Sequence, residues 1–215
     1  MTTERFSCTD CSIQSCYRRN KPFPSKCLSI VASKRMKDKA QKYYTEDGID
    51  KPLAIAAAEI EGKFYGKLTR VEEIIQFALA IGAKKIGIAT CIGLIAEAKT
   101  FASILRAHNL KYFSVICKVG SVDKTSIGIP EELKVQKGSW ESICNPVLQA
   151  SILNHQKCDL NVIVGLCVGH DALFNRHSEA PVTTLITKDR VLGHNPAAAL
   201  YTSNFYYKRL FPERK

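Results

Sequence analysis

In the first third of the chain, apolar residues recur at the three- and four-residue spacing of helices that bury one face. This spacing predicts three helices, over residues 28–44, 52–65 and 69–82. Thr69 and Glu72 stand at the two positions of a capping box, which stabilises the first turn of a helix. Residues 31–82 are therefore expected to form a helical lead-in to the rest of the chain.

From residue 84 onward, short apolar runs of strand length alternate with helical segments. Strands are predicted over residues 84–89, 112–117, 160–166 and 182–187. Helices are predicted between and after them, over residues 94–108 and 144–155, in a short segment following Asp171, and from Pro196 onward. This alternation is typical of an α/β fold with a mostly parallel, doubly wound sheet and helices on both faces. Residues 119–143 form a long connection, which suggests a lid or a site loop.

The predicted organisation is a four-cysteine module over residues 1–30, followed by an α/β domain over 31–215 whose sheet occupies 83–215. A chain of 215 residues, 46% apolar and 24% charged, has ordinary globular composition. No apolar run reaches the length of a membrane span, and no secretory apolar segment precedes the cysteines. We therefore expect a cytoplasmic protein without a membrane partner.

Four of the nine cysteines lie in the first thirty residues: Cys8, Cys11, Cys16 and Cys27. Four thiolates this close suit a tetrahedral zinc ion or a 4Fe-4S cluster. The spacing has one C-x2-C knuckle where a zinc ribbon has two, and it differs from ferredoxin patterns, so both metals stay open. The alternative is two disulfides or four unrelated thiols. An odd number of cysteines and a reducing compartment argue against a disulfide framework.

A second set of cysteines occupies equivalent places in the predicted fold: Cys91, Cys144 and Cys167. Two of them follow strands, and Cys144 precedes a helix for which Asn145 is the expected N-cap. In an open α/β sheet these places converge on the crevice at the carboxyl ends of the strands, where ligands bind. Helix N-termini also stabilise thiolates. The pattern predicts a second thiolate site.

Three chemistries suit such a site: a second 4Fe-4S cluster with one iron open to substrate, a zinc ion with a water ligand, or redox thiols. Cys117 ends the intervening strand and is either a fourth member or a neighbour of the site. The alternative is that these cysteines are small apolar core residues, as buried cysteine often is. Cys158 fits neither group.

Two histidines follow glycines in the same region. His170 lies in Gly169-His170-Asp171, and His194 lies in Gly193-His194-Asn195. As catalytic residues they would donate protons or contact an anion beside the thiols. Alternatively, each hydrogen-bonds a neighbouring loop. Arg190 is an anion contact on the first reading and a solvated turn residue on the second.

The net charge of +11 favours an anionic partner, such as a small anionic substrate. The lysines and arginines are scattered and form no basic stripe with aromatics between them, so nucleic acid is not favoured. The chain has no G-x-G-x-x-G after its first strand, no phosphate-binding P-loop and no G-x-S-x-G. Dinucleotide, nucleotide and hydrolase functions are therefore not indicated.

The N-terminal cysteines, together with residues 165–171 (GLCVGHD) and 189–196 (DRVLGHNP), resemble a family of uncharacterised bacterial and archaeal proteins. The resemblance covers nearly the whole chain. It implies metal binding, with zinc suggested for the family, at the matching Cys8, Cys11, Cys16 and Cys27. It implies no reaction.

Together these features predict a metal-binding protein with a redox or sulfur-transfer enzyme site at the sheet edge and an electron donor as a further partner. The alternative is a non-catalytic zinc protein whose basic surface contacts an anionic partner. A metal-delivery or sensing protein is a third reading. The substrate and the oligomeric state stay open.

Overall fold

The computed structural model describes residues 7–211. The chain divides into two compact units, the first ending at Ala58 and the second beginning at Glu59. The predicted four-cysteine module lies in the first unit, and the predicted sheet lies in the second. No helix in the described part of the chain is long and apolar enough to cross a membrane.

The first unit is helical. It contains α1 (Ser15–Arg18), α2 (Leu28–Val31) and α3 (Lys34–Thr45), and α4 (Asp50–Phe64) includes the boundary between the units. The single helix predicted over 28–44 is wrong, because the chain is extended at Ala32 and a new helix starts after Ser33. The Ser33 hydroxyl accepts a hydrogen bond from the Met36 N–H at 3.3 Å, which caps the new helix and favours the break.

The second unit begins its regular structure with α5 (Arg70–Ala80). The predicted capping box is present: the Thr69 hydroxyl accepts from the Glu72 N–H, and the Glu72 carboxylate accepts from the Thr69 N–H at 2.7 Å. Gly82 follows the helix with φ +71°, a conformation that glycine adopts without strain. The predicted start and end of this helix are therefore confirmed.

Four strands form one sheet in which every pairing is parallel: β1 (Lys85–Thr90), β2 (Lys111–Ile116), β3 (Leu160–Val164) and β4 (Val182–Ile186). Their spatial order is β2-β1-β3-β4. In the register, Ile88 pairs with Ser114 on one side and with Val162 on the other. The predicted α/β fold is confirmed.

Helices α6 (Ile95–Ala107), α7 (Pro146–His155) and α8 (His170–His177) connect the strands, and α9 (Ala197–Tyr201) follows them. The chain moves from β1 to one side for β2 and then to the other side for β3. Right-handed crossovers place α6 on one face of the sheet and α7 and α8 on the other, where these two helices pack together. The sheet is therefore doubly wound, with its switch point between β1 and β3.

The two central strands, β1 and β3, are buried on both faces, as the continuous apolar run of β3 predicts. Two buried amides adjust the packing around them. The Gln149 amide of α7 donates to the carbonyls of Thr90 at 3.1 Å and Val115 at 2.7 Å. It therefore links the carboxyl ends of β1 and β2.

The second buried amide belongs to Asn161 in β3. It lies against Gly87 of β1, where an added Cβ would be 1.9 Å from the Asn161 Oδ1 atom and 3.0 Å from a Leu153 methyl group. Only glycine fits at position 87 because the amide occupies the space that a side chain needs.

Candidate functional site: a cysteine-lined cleft at the carboxyl edge of the sheet

A cleft of about 930 Å³ opens at the carboxyl edge of the sheet, within the second unit. Three of the predicted site cysteines line it, Cys91, Cys144 and Cys167, together with His170. Cys91 directly follows β1 and Cys167 follows β3, so the cleft lies at the switch point. The structure thus brings these four residues together, as their places in the predicted topology indicated.

Cys117 lies beneath the cleft, with its thiol in contact with the sulfurs of both Cys91 and Cys144. Strand pairing causes the first contact: the Cys117 N–H donates to the Thr90 carbonyl at 2.8 Å, so residues 91 and 117 continue the register of β1 and β2. The Asn145 N–H donates to the Cys117 carbonyl at 2.7 Å and brings Cys144 alongside. Cys117 is 1% exposed and therefore reaches solvent only through its neighbours.

Each of the three cleft cysteines has its own cation. The Lys188 ammonium donates to the Cys91 Sγ at 3.4 Å, and the Arg190 guanidinium donates to the Cys167 Sγ at 2.9 Å. A third cation, Lys118, donates to the Ser142 carbonyl at 2.6 Å and lies close enough to Cys144 to lower the pKa of its thiol. A nearby positive charge favours the ionised form of a partly buried thiol, and it helps to lower the pKa of Cys91 and of Cys144.

The contact with Cys117 is the largest cause that lowers the pKa of two of these thiols. It brings the pKa of Cys91 to about 4, against the effect of burial, with help from the Gly93 N–H and from Lys188. It brings the pKa of Cys144 to about 5, also against burial, with help from Lys118 and His170.

The pKa of Cys117 itself is raised, first by Cys144, then by Cys91 and by burial. The three sulfurs therefore behave as two thiolates that share the single proton held by Cys117.

The long connection over residues 119–143 forms one wall of the cleft. Its side chains there are mostly apolar: Ile127, Ile129, Val135 and Trp140. The loop is anchored by Asp123, whose carboxylate accepts from the Thr125 N–H at 2.9 Å and from the Lys134 ammonium, which is 5% exposed. These bonds hold the pKa of Asp123 well below its ordinary value, with the Thr125 N–H as the largest cause. These contacts tie Asp123, Thr125 and Lys134 of the wall together.

The two predicted histidines lie in different places. His170 is the first residue of α8, lines the cleft, and contributes positive charge near Cys144. His194 lies in a separate cleft of about 500 Å³ together with Arg70 and Pro196. Its Nδ1 atom accepts from the Asp189 N–H at 3.1 Å, which closes the turn that it occupies. The structure does not bring His194 to the thiols.

Sequence reasoning missed three contributors to the cleft: Lys118, Lys188 and Trp140. A signal was present for the two lysines, because each directly follows a segment that ends at the carboxyl edge. Trp140 had no local signal, since its place depends on how the long connection folds back.

The four N-terminal cysteines differ in exposure: Cys8 and Cys16 are exposed, Cys11 is half-buried, and Cys27 is buried. Cys11 accepts a hydrogen bond from the Gln14 N–H at 3.4 Å. Over residues 7–211, no three or more histidine, cysteine or acidic side chains are grouped so as to hold a metal ion. The structure therefore does not show the predicted metal site, and that site stays a prediction.

In the cleft, which lies in the described part of the chain, the sulfurs of Cys91 and Cys144 likewise flank Cys117 without forming such a group. All nine cysteines, each of which lies in the described part of the chain, are free thiols. The cleft is thus a set of neighbouring thiols, three with a cation and one between two of the others.

The fold and the site define a class: an all-parallel α/β protein with a cationic, cysteine-lined cleft at its topological switch point. The chain belongs to the family described as protein of unknown function DUF1847, whose model matches residues 27–185. It is 45% identical over 203 residues to an uncharacterised protein of Methanocaldococcus jannaschii. The matched region covers 94% of this chain and 97% of that protein. No solved structure matches the chain.

Membership in a family of uncharacterised proteins is thereby confirmed. The matched region begins at Cys27, so it includes the cleft cysteines and excludes Cys8, Cys11 and Cys16. The family description assigns neither a metal nor a reaction.

Proposed function

We propose that this protein is a thiol-dependent enzyme of redox or sulfur chemistry, acting on a small substrate at the cysteine-lined cleft. The observation that carries the proposal is the pairing of each cleft cysteine with a cation: Cys91 with Lys188, Cys144 with Lys118 and Cys167 with Arg190. The thiolate is the reactive form of cysteine, and an adjacent cation keeps it ionised near neutral pH.

A structural role does not require these pairings. A buried cysteine that only packs is a neutral, weakly polar group and needs no cation. Cys158 is such a residue in the same unit: it is 8% exposed, and burial raises the pKa of its thiol. Maintaining partly buried negative charge costs free energy, so an arrangement that lowers the pKa of both Cys91 and Cys144 indicates a use for reactive sulfur.

Metal binding at the N-terminus is part of the same proposal: Cys8, Cys11, Cys16 and Cys27 would hold zinc or a 4Fe-4S cluster. In the cleft, a second cluster on Cys91, Cys117, Cys144 and Cys167 is the alternative to free, reactive thiols. The N–H groups of Ile92 and Arg190 donate to cleft sulfurs at 3.3 Å and 2.9 Å. Hydrogen bonds to the ligating sulfurs tune the reduction potential of an iron–sulfur cluster. A reducing, cytoplasmic compartment would keep the thiols free.

The thiolate proposal is tested by ultraviolet difference absorbance of the anaerobic, reduced protein with a chelator present. At pH 6, the wild type should show about two thiolates more than the variant that combines Cys91→Ser with Cys144→Ser. The matched control is Cys158→Ser, which should leave the absorbance unchanged. Equal thiolate absorbance in the wild type and the double variant would contradict the proposal.

The metal part is tested separately by iron, zinc and acid-labile sulfide analysis of protein purified without oxygen. Visible absorbance that bleaches on reduction, and that falls in Cys167→Ala, supports a cluster in the cleft. Cys158→Ala again serves as the control. A colourless protein that holds zinc, with unreactive cleft thiols, would instead favour the non-catalytic zinc protein.

A further inference from the structure

The cleft has a second, apolar side that thiol chemistry alone does not require. Three side chains of the long connection line it and remain largely exposed: Ile127 at 59%, Val135 at 86% and Trp140 at 65%. The Trp140 indole N–H donates to the Ser142 hydroxyl at 3.1 Å, which orients the ring. Ser142 lies two residues before Cys144. Exposed apolar groups gathered in a cleft favour a ligand with an apolar or aromatic body.

The cationic side chains on the opposite side of the cleft already have partners within the protein. Lys188 and Arg190 each bond to a sulfur, Lys118 bonds to the Ser142 carbonyl beside Cys144, and Lys124 pairs with Glu141. A ligand therefore meets thiolates, rather than free cations, at the reactive end of the cleft. When one thiolate becomes a neutral sulfur, its cation becomes available to an anionic leaving group.

The sulfurs of the cleft differ in how far they are exposed to an incoming molecule. Cys144 is partly exposed, whereas Cys91 is 6% exposed and Cys117 is 1% exposed. Cys167 is also partly exposed, so Cys144 and Cys167 are the sulfurs that an incoming molecule meets first, and of these two it is Cys144 that adjoins Cys117. The Cys117 thiol contacts Cys144 directly, so a second sulfur stands ready behind the first.

We propose that the cleft accepts organic disulfides with an apolar body: Cys144 attacks the disulfide, Cys117 resolves the product, and Trp140 holds the apolar part. This inference rests on the proposed thiol function and names its substrate class. Two adjacent thiols, one accessible and one buried, form the pair that thiol–disulfide exchange requires.

The exchange balances without a further reagent. In the first step the Cys144 thiolate forms a bond to one substrate sulfur, and the other substrate sulfur leaves as a thiolate beside Lys118. In the second step Cys117 gives its proton to the Cys91 thiolate and attacks the Cys144 sulfur, which expels the second substrate thiolate. The substrate gains two electrons, and Cys117 and Cys144 lose two as they form a disulfide.

The test uses the reduced full-length protein and two probes: dithiobis(nitrobenzoate), an aromatic disulfide, and hydroxyethyl disulfide, an aliphatic one. Peptide mapping by mass spectrometry reads each cysteine separately. In the wild type we expect a Cys117–Cys144 disulfide. In Cys117→Ser and in Cys117→Ala the reaction should stop at an aryl adduct on Cys144. Cys158→Ser, the matched control, should behave as the wild type.

The apolar wall is tested by comparing the two probes. Trp140→Ala should slow the reaction of Cys144 with the aromatic probe about two- to tenfold, the range expected for loss of one aromatic contact. The aliphatic probe should react at an unchanged rate, and Trp140→Phe should keep most of the aromatic preference.

The outcomes separate the two proposals. Failure of Cys144 to react faster than Cys158 would overturn both the thiol function and this inference. A Cys144 aryl adduct that persists in the wild type would overturn the inference and leave the reactive thiolate intact. An equal effect of Trp140→Ala on the rates of both probes would also overturn the inference and leave the reactive thiolate intact. If the Cys117 variants lose their folded structure in a thermal scan, the wild-type disulfide map alone decides.

Discussion

The ionisation of Cys144 depends chiefly on one neighbouring thiol, and removing that thiol is the most informative perturbation. Cys117 is the largest cause that lowers the pKa of Cys144 to about 5. At pH 6 a thiol with this pKa is about 90% ionised, whereas an ordinary thiol, with a pKa near 8.5, is about 0.3% ionised. The difference in thiolate population is therefore about 300-fold.

The reaction rate does not rise by the full factor, because a thiolate of lower pKa is a weaker nucleophile. With a Brønsted coefficient near 0.45, a lowering of about 3.5 units costs about 30-fold in intrinsic reactivity. The net advantage of Cys144 at pH 6 is thus about tenfold. The clearer signature is the shape of the profile: the alkylation rate of Cys144 should be almost constant between pH 6 and pH 9.

The assay is alkylation by iodoacetamide with the label at each cysteine read by peptide mass spectrometry. In Cys117→Ala the inflection of Cys144 should move upward by about one unit or more, because Lys118 and His170 alone then oppose burial. Cys158→Ala is the matched control and should leave the profile unchanged. A Cys144 profile that rises about tenfold per pH unit in the wild type would refute the reasoning.

Three further predictions concern stability. Gly87→Ala should lower the free energy of unfolding by about 1–3 kcal/mol, since its Cβ would meet Asn161, whereas Gly62→Ala has open space and should not. Gln149→Met should cost about 1–3 kcal/mol by chemical denaturation, because two strand carbonyls lose a donor. Folding lowers the pKa of Asp123, so the Asp123 carboxylate stabilises the fold at pH values above the ordinary pKa of an aspartate. This stabilisation is lost as the pH falls. Asp123→Asn should therefore flatten the acid side of the stability–pH profile, and an unchanged acid limb would contradict this reading.

Much of the fold follows from local patterns. The capping box at Thr69 and the apolar period after it predict α5 almost to the residue, because both act within one helix. The apolar run of β3 predicts a strand buried on both faces for the same kind of reason. The break at Ser33 was missed, because a helical period continues through it while a single side-chain cap decides otherwise.

The candidate site, like the fold, could be predicted from the sequence only in part. Chain order and strand periodicity alone place Cys91, Cys144 and Cys167 at one edge of the sheet, since parallel strands end on the same side. They say nothing about which atoms meet. The central position of Cys117 depends on the register between β1 and β2, which sets the Cys91 and Cys117 sulfurs side by side although helix α6 separates these residues in the chain.

The exclusion of His194 from the cleft, and the inclusion of Trp140, were decided only by tertiary structure. A turn that uses the His194 ring as an acceptor, and a long connection that folds back along the sheet edge, set these two positions. The sequence by itself determined the layers of the fold and the edge at which its thiols gather. Tertiary packing decided which of those thiols share a proton, because that depends on separations of a few ångströms between residues far apart in the chain.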